Sequence, residues 1–231
     1  MLTMHTFKVF GDYMARTKPY HHGNLRATLV AHGVKLLAKQ GIDGLSLRTL
    51  ARQAGVSPAA PYRHFRTAGA LAEAIAIEGF ERLGASMAAT VRDPQLSRLS
   101  ALERIGHGYL RFAAANPHHL QLMFSGRVQA KEDKPDDPLQ KAASAALAVL
   151  TGTIVQAQKE GLVDAAVKPE VLAVVAWSFV HGFSTLSFAG CLDPEELAGL
   201  ESPEQLAQAC LTVIKSGWTG RKHRKNTSLL P

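Results

Sequence analysis

The side chains with the clearest chemical potential lie in one short run, residues 58 to 64. Arg63 is the predicted base contact, because an arginine guanidinium pairs with two acceptors on the edge of guanine. Four neighbours can add methyl contacts to thymine or hydrogen bonds to phosphate: Ala59, Ala60, Tyr62 and His64. These residue types predict contact with the major groove of duplex DNA.

A pair of short helices joined at Gly55 has to position this run. The first helix begins after Ser46, whose hydroxyl is placed to accept a hydrogen bond from the amide of Thr49. Leu45 and Leu50 are placed to pack against each other across this start. Glycine adopts a positive φ at little cost, so Gly55 can end the helix and turn the chain sharply.

The second helix is predicted from about Pro58 to Phe65, with Ser57 as its cap. Pro58 fits the first helical position, where no amide donor is needed. Pro61 removes the first intrahelical hydrogen bond but stays within the first turn, where proline is tolerated. An ordinary helical hairpin has the same pattern, so neighbouring features must decide between that structure and a DNA-binding pair.

Two features upstream favour DNA binding. Apolar residues at helical spacing predict a helix from Asn24, its expected cap, to Gln40, with Gly41 as its end. A basic arm, residues 16 to 20, precedes that helix. Further candidate contacts to DNA, chiefly to its backbone, are Arg16, Lys18, Tyr20, Arg26, Ser46, Arg48, Thr49 and Ser57.

Charge is segregated along the chain. Residues 1–68 hold ten Lys and Arg against two acids, whereas residues 69–220 hold twelve against seventeen. The last eleven residues add four cations, and the whole chain has a net charge of +7. A basic N-terminal third beside an acidic remainder predicts that one module of the protein binds phosphates.

Residues 16 to about 80 resemble the DNA-binding domain of the tetracycline-repressor (TetR/AcrR) family. The motifs that carry the resemblance are Leu36-Leu-Ala38, Gly41, Leu45-Ser-Leu-Arg48, Ala51, Ala54-Gly-Val-Ser57 and Tyr62-Arg-His-Phe65. Downstream motifs resemble the family branch that carries a Trp-His-Gly motif: Phe112-Ala-Ala-Ala-Asn-Pro117, Leu122-Met-Phe124, and Trp177 followed by His181-Gly182. The resemblance implies a dimeric transcriptional regulator, and chiefly a repressor that a small molecule releases from its palindromic operator.

One position departs from the family pattern. Members usually carry a lysine that meets a phosphate at the start of the helix after the recognition helix, and that place holds Ala68. Arg66 is the candidate substitute, and the alternative is that this phosphate contact is absent.

Length and composition predict an all-α protein. The chain has 231 residues, of which 46% are hydrophobic, and helical periodicity dominates it. We expect a leader at 1–15, a helix-turn-helix DNA-binding domain at 16–68, a helical effector-binding and dimerisation domain at 69–220, and a basic tail at 221–231.

A cytoplasmic location is expected from the cysteines and the N-terminus. Cys191 and Cys210 imply no disulfide framework and suit a reducing compartment; a redox-sensing pair is the minor alternative. Residues 1–15 lack the apolar core and cleavage pattern of a secretory signal. Val171 to Gly190 is long enough to suggest a membrane span, but its histidine and hydroxyl residues favour burial in a protein interface.

The remainder of the chain is predicted to be a helical bundle. Helical patterns lie near 70–90, 99–115, 117–125, 138–160, 169–190 and 203–217. The last two are unusually apolar for the surface of a monomer. As the resemblance implies, two such helices from each protomer would form a four-helix dimer interface, and a two-fold operator needs a dimer. The alternative is burial inside one subunit.

A ligand cavity between these helices has seven candidate lining residues: Tyr109, Phe112, Met123, Phe124, Trp177, His181 and Phe188. Trp177 and His181 lie four residues apart and share a helix face. Aromatic and methionine residues at helical spacing more often form plain core, so this pattern alone does not establish a cavity. The resemblance implies an effector, which we expect to be an apolar or aromatic small molecule.

Catalytic chemistry finds no support in the sequence. No nucleophile elbow, phosphate-cradling glycine loop or metalloprotease motif is present. The adjacent pairs His21-His22 and His118-His119 are poorly spaced for a shared metal. We therefore predict no enzyme activity, no metal and no cofactor. The alternatives to an effector-regulated repressor are an architectural DNA-binding protein without an effector and a membrane-associated interaction protein.

Overall fold

The structure, a computed structural model, describes residues 25–92, 95–128 and 136–218. Within these ranges the chain forms helices and no strand, which confirms the all-α prediction. Short 3-10 helices lie at Ile42–Gly44 and Pro61–Arg63. The α-helices are α1 Leu25–Gln40, α2 Leu47–Ala54, α3 Ala68–Ala89, α4 Arg98–Ala115, α5 Pro117–Met123, α6 Pro138–Lys159, α7 Pro169–Phe188, α8 Pro194–Ala198 and α9 Pro203–Trp218.

The six helices predicted beyond residue 69 all form, and their ends lie within two residues of the predicted ones. Proline marks the first position of α5, α6, α7 and α9, where its missing amide costs nothing. The short α8 was not predicted, because five residues show no helical period. A capping residue nevertheless marks its start, since the side chain of Asp193 accepts hydrogen bonds from the amides of Glu195 and Glu196.

The first helix of the predicted pair forms as expected. The Ser46 hydroxyl accepts a hydrogen bond from the Thr49 amide over 3.4 Å and starts α2. Gly55 ends it in the left-handed conformation, at φ 66°. The amide of Val56 then donates to the carbonyl of Ala51 over 3.0 Å and closes the turn.

The second helix of the pair is not the α-helix predicted from Pro58 to Phe65. The chain there runs through turns into the 3-10 helix Pro61–Arg63, whose cap residue is Ala60 rather than Ser57. Pro61 has no amide to donate to the carbonyl of Ser57, so the first α-type hydrogen bond of the predicted helix is missing, and the amide of Phe65 donates in the α pattern only at the end of the segment, to the carbonyl of Pro61 over 2.9 Å. The amide of His64 donates to the carbonyl of Pro61 over 3.0 Å, in the 3-10 pattern.

Buried apolar side chains form two clusters. The N-terminal core joins α1 and α2 to the beginning of α3, with Leu29, Leu36, Leu50, Leu71 and Ile75 fully buried. The C-terminal core joins the rest of α3 to α4, α5, α6, α7 and α9. Because α3 belongs to both, the apolar packing of the DNA-binding part continues beyond the predicted boundary at residue 68.

The short helix α5 also links the two cores. Leu122 is buried in the N-terminal core and the next residue, Met123, in the C-terminal core. Gly79 of α3 permits this placement, because a Cβ there would lie 2.5 Å from the sulfur of Met123. The close approach of α3 and α5 thus lies where the N-terminal core meets the C-terminal core.

Candidate DNA-contacting surface and internal cavity

The run predicted to contact DNA is held at both ends by buried side chains. Pro61 and Phe65 are buried, and the three residues between them, Tyr62, Arg63 and His64, are exposed. Tyr62 is 54% exposed. The 3-10 turn therefore presents the predicted base-reading side chains outward, although it is not the α-helix that was expected.

The other predicted contacts differ in how accessible they are. Arg48, Ser57 and Ala59 are exposed, whereas Ala60 is half-buried. Ser46 and Thr49 are half-buried and are joined by the capping hydrogen bond, so they combine a structural role with any contact to DNA. Arg26 is exposed and its guanidinium lies 5.4 Å from the centre of the Phe65 ring, a cation–π contact.

The predicted basic arm lies outside the described residues. This applies to Arg16, Lys18 and Tyr20, and also to the expected cap Asn24. The proposed leader at 1–15 and the tail at 221–231 fall outside them as well.

The electrostatics of the described part of this surface are strongly one-sided. Residues 25–68 hold seven Lys and Arg and one acid, Asp43. That acid is paired with Arg127, which donates over 2.5 Å from the segment after α5. The ion pair connects the DNA-binding part to the bundle and neutralises the single carboxylate of residues 25–68.

The position where the family pattern has lysine is the first residue of α3. Ala68 follows Thr67, whose hydroxyl accepts a hydrogen bond from the Ala70 amide over 3.1 Å. Arg66 is exposed two residues before Ala68. It can reach a phosphate near this helix start, where the helix dipole also favours an anion.

A cavity of about 200 Å³ lies within the bundle, between α3, α4, α6, α7 and α9. Its walls are almost entirely apolar, and six aromatic residues line it: Phe80, Tyr109, Phe124, Trp177, Phe179 and Trp218. Gln140, Ser144 and Leu147 of α6 are exposed lining residues, so the cavity opens beside that helix. This is space of the kind that holds a small apolar ligand.

The structure brings three of the seven predicted residues together at the cavity wall: Tyr109, Phe124 and Trp177. His181 lies behind this wall, with its ring centre 4.5 Å from that of Phe124. The other three do not line the cavity: Phe112 and Met123 are buried in the C-terminal core, and Phe188 is 42% exposed at the end of α7.

The polar groups of this aromatic wall are satisfied by one another. The hydroxyl of Tyr109 and Nδ1 of His181 are hydrogen-bonded over 2.8 Å. Burial raises the pKa of Tyr109. Burial lowers the pKa of His181, so the neutral imidazole is favoured. Both groups are therefore uncharged at neutral pH.

A charged pair at the α9 side of the cavity was missed by the sequence analysis. Lys215 of α9 donates to the carboxylate of Glu103 on α4, and Gln208 donates to the same carboxylate. Gln208 is also hydrogen-bonded to Nε2 of His107 over 2.7 Å. The sequence carries no signal for this pair, because its members are 112 residues apart.

Other missed lining residues belong to apolar helix faces. Leu83 and Met87 of α3, and Leu211 and Trp218 of α9, recur at helical spacing. That spacing identifies an inward face. It does not tell a tightly packed face from one that leaves a cavity.

An apolar surface is left uncovered on α7 and α9. On α7, Val171, Val174, Val175 and Leu186 are about half exposed, and Val213 of α9 is 66% exposed. By length and hydropathy α6 and α7 could each span a membrane, and 22% of either helix window is buried within the chain. Two such helices are weak evidence for a membrane protein, and an uncovered apolar face equally suits association with a second chain.

Among the residues that the structure describes, no group of three or more His, Cys, Asp or Glu is arranged to hold a metal ion. The adjacent His118 and His119 differ in environment, since His119 is buried and His118 is not.

Two models of one protein family match the chain. Residues 29–75 match the model described as bacterial regulatory proteins, tetR family, and residues 102–213 match the tetracyclin repressor-like C-terminal domain. Together the matches span more than half of the chain.

A curated relative agrees with this assignment. It is the uncharacterized HTH-type transcriptional regulator YobS of Bacillus subtilis (strain 168), 26% identical over 99 residues. The alignment covers 43% of this chain and 51% of the relative, so the chain spans about half the length of the curated protein that it matches.

Solved structures share the fold over most of the chain. A protein of unknown function from Rhodococcus sp. RHA1 is 32% identical, with a TM-score of 0.74, covering 88% of this chain and 100% of that one. A bacterial regulatory protein of the tetR family from Rhodococcus RHA1 is 19% identical, with a TM-score of 0.63 and coverages of 82% and 94%. The fatty acid degradation regulator FadR from Bacillus halodurans is 11% identical, with a TM-score of 0.65 and coverages of 88% and 99%. The last two show likeness of fold alone.

Proposed function

This chain belongs to the TetR family of DNA-binding transcriptional regulators, and we propose that it is a cytoplasmic, dimeric repressor that a small apolar molecule releases from its operator. Members of this family are transcription factors and not enzymes. The observation that carries the proposal is the combination, in one chain, of an exposed cationic surface and an apolar cavity within the helical bundle.

Operator reading is assigned to the residues exposed around the 3-10 turn. We propose that Arg63 contacts a base edge while Ala59 and Ala60 meet thymine methyl groups. Arg48, Thr49 and the basic arm at residues 16–20 would position the phosphate backbone. The excess of cations over residues 25–68 supports this assignment, because binding to phosphates is driven by the release of counterions.

Dimerisation is proposed through α7 and α9. Several large apolar side chains of α7, and Val213 of α9, lie at the surface of the single chain, and such a face is costly to leave in water. A two-fold dimer would cover them and would place two reading surfaces on successive major grooves, with half-site centres roughly 34–36 Å apart or somewhat more.

Effector release is proposed to begin in the cavity. The cavity contacts α3 through Phe80, Leu83 and Met87, and the same helix supplies Leu71 and Ile75 to the N-terminal core. A ligand that fits better when α3 is displaced would shift the dimer towards a spacing that no longer matches the operator. The coupling must be reciprocal, so operator DNA should weaken the ligand by the same factor.

Footprinting of the purified protein on the DNA upstream of its own gene tests this function. A protected near-palindrome that survives an excess of unrelated DNA, and whose protection is lost on adding an effector, is the expected result. Uniform protection of all sequences would instead indicate an architectural DNA-binding protein. Protection that no added compound alters would indicate a regulator without an effector.

A further inference from the structure

The charged side chains that line the cavity are Glu103 and Lys215, and each already holds the other. Burial raises the pKa of Glu103, but the hydrogen bonds from Lys215 and Gln208 outweigh it and leave that pKa below its usual range. The carboxylate is thus ionised at neutral pH and compensates the lysine. A ligand that enters the cavity meets no unbalanced charge.

Tyr109 and Gln140, two neutral polar residues of the wall, are also hydrogen-bonded within the protein. The hydroxyl of Tyr109 is hydrogen-bonded to His181, and the amide of Gln140 donates to the hydroxyl of Ser144 over 3.3 Å. A ligand donor or acceptor placed against these groups would have to displace their present partners or lose its own hydration, and that loss opposes binding. The wall therefore disfavours strongly polar as well as charged molecules.

Size and shape narrow the ligand further. The volume of about 200 Å³ exceeds the ~150 Å³ of an apolar cavity that holds one benzene molecule. Two aromatic contacts lie along the wall: Phe80 and Phe124 meet edge to face with ring centres 5.7 Å apart, and Phe124 and Trp177 are tilted with ring centres 5.5 Å apart. Such walls favour a flat ring that can be received in the same geometry.

We propose that this cavity takes an uncharged aromatic molecule of one or two rings, and that the Glu103–Lys215 pair is what makes it reject charged ones. This inference rests on the proposed function, because it names the class of effector for that site. A carboxylate ligand would have to take Lys215 from Glu103 and leave the latter as an uncompensated anion. An ammonium ligand would displace Lys215 in the same way.

Three probes of matched shape test the proposal on the full chain: naphthalene, 2-naphthoate and 2-naphthylmethylammonium. Calorimetric titration should detect naphthalene binding to the wild-type protein. The two charged probes should bind at least about 100-fold more weakly, because their charge is desolvated without a partner. Binding of 2-naphthoate within tenfold of naphthalene, or no binding of any of the three, would overturn the proposal.

Two variants test the role of the ion pair. Glu103→Gln keeps the side-chain size and releases Lys215, so 2-naphthoate should gain at least about tenfold in affinity while naphthalene changes little. Lys215→Met should shift the preference towards 2-naphthylmethylammonium instead. The matched control is Glu160→Gln, which breaks the exposed Arg98–Glu160 pair outside the cavity and should leave all three affinities unchanged. Helix content by circular dichroism confirms folding, and a folded Glu103→Gln protein with wild-type preference would remove the pair as the cause.

Measuring operator affinity with the same probes separates this inference from the proposed function. Naphthalene that binds without weakening operator binding would refute release by an effector but not the class of ligand. Conversely, 2-naphthoate that binds tightly and releases the operator would refute the uncharged ligand class and would still support a repressor released by a small molecule.

Discussion

At the scale of single residues, two exposed arginines illustrate how one side-chain type serves two roles. Arg63 stands between the buried anchors Pro61 and Phe65, whereas Arg48 lies on the first turn of α2. The first is held by the turn and is proposed to contact a base, while the second is proposed to contact the DNA backbone. Their substitution should therefore have different consequences for specificity.

Arg63→Ala should weaken operator binding by about 1–3 kcal/mol and relax the preference at one base position. Arg48→Ala should weaken binding to all DNA sequences alike. It should also reduce the slope of log affinity against log salt concentration by about one, as expected for the loss of one phosphate contact. Binding to a panel of single-base operator variants at several salt concentrations measures both effects. An Arg63→Ala protein with unchanged base preferences would contradict the assignment.

His119 is the second residue with a consequence that can be measured. Its Nε2 atom is buried without a hydrogen-bond partner. Burial, together with the charges of Arg82 and His118, lowers the pKa of His119, although Glu78 at 3.8 Å acts in the opposite direction. The folded protein thus holds this imidazole neutral.

Stability should fall as the pH is lowered through about 6.5, the ordinary histidine pKa, because below it the unfolded chain binds more protons than the folded one. His119→Leu removes the group and should flatten the loss of melting temperature between about pH 7.5 and 5. His181, whose pKa burial also lowers, should keep a residual slope. Melting temperatures of variant and wild type, measured across this pH range, test the prediction. Equal slopes of melting temperature against pH would show that His119 does not contribute.

At the scale of elements, two glycines inside helices show how closely the helices are packed. A Cβ on Gly108 of α4 would lie 3.1 Å from the Cα of Met87 and from the carbonyl oxygen of Ser86. Gly152 of α6 has no atom within 4 Å of such a Cβ. The first glycine permits α3 and α4 to approach, while the second only lowers helix propensity.

Gly108→Ala should destabilise the protein by about 1–3 kcal/mol, since the backbone of α3 must move to make room. Gly152→Ala is the matched control and should stabilise it by about 0.5–1 kcal/mol. The midpoints of urea unfolding measure both changes. A Gly108→Ala protein as stable as the wild type would show that α3 and α4 can separate at little cost.

The elements also show what the sequence could and could not predict. Caps and breakers such as Ser46, Gly55 and Pro169 act locally, so helix ends were predicted closely. The α-helix predicted from Pro58 to Phe65 was wrong, because the choice between 3-10 and α hydrogen bonds also depends on how Pro61 and Phe65 pack. The cavity was predicted only in part, since its lining comes from five helices whose separation no local pattern encodes.

At the scale of the whole molecule, the uncovered apolar faces of α7 and α9 predict the oligomeric state. Val213→Glu would bury a carboxylate without a partner if α9 lies in the dimer interface, which is strongly unfavourable. The variant should sediment as a monomer or precipitate, whereas Val213→Ala should remain a dimer. A wild-type protein that sediments as a stable monomer at micromolar concentration would rule this interface out.

The placement of Leu122 and Met123 in separate cores bears on whether either half of the molecule can fold, or be transferred to another protein, without the other. Heat should unfold them together, as one calorimetric transition, because neighbouring residues of α5 cannot leave one core without disturbing the other. A fragment that ends at residue 68 would lack Leu71, Ile75 and Leu122 and would expose the apolar surface they cover. Grafting this reading surface onto another regulator should therefore succeed only when α3 and α5 are transferred with it.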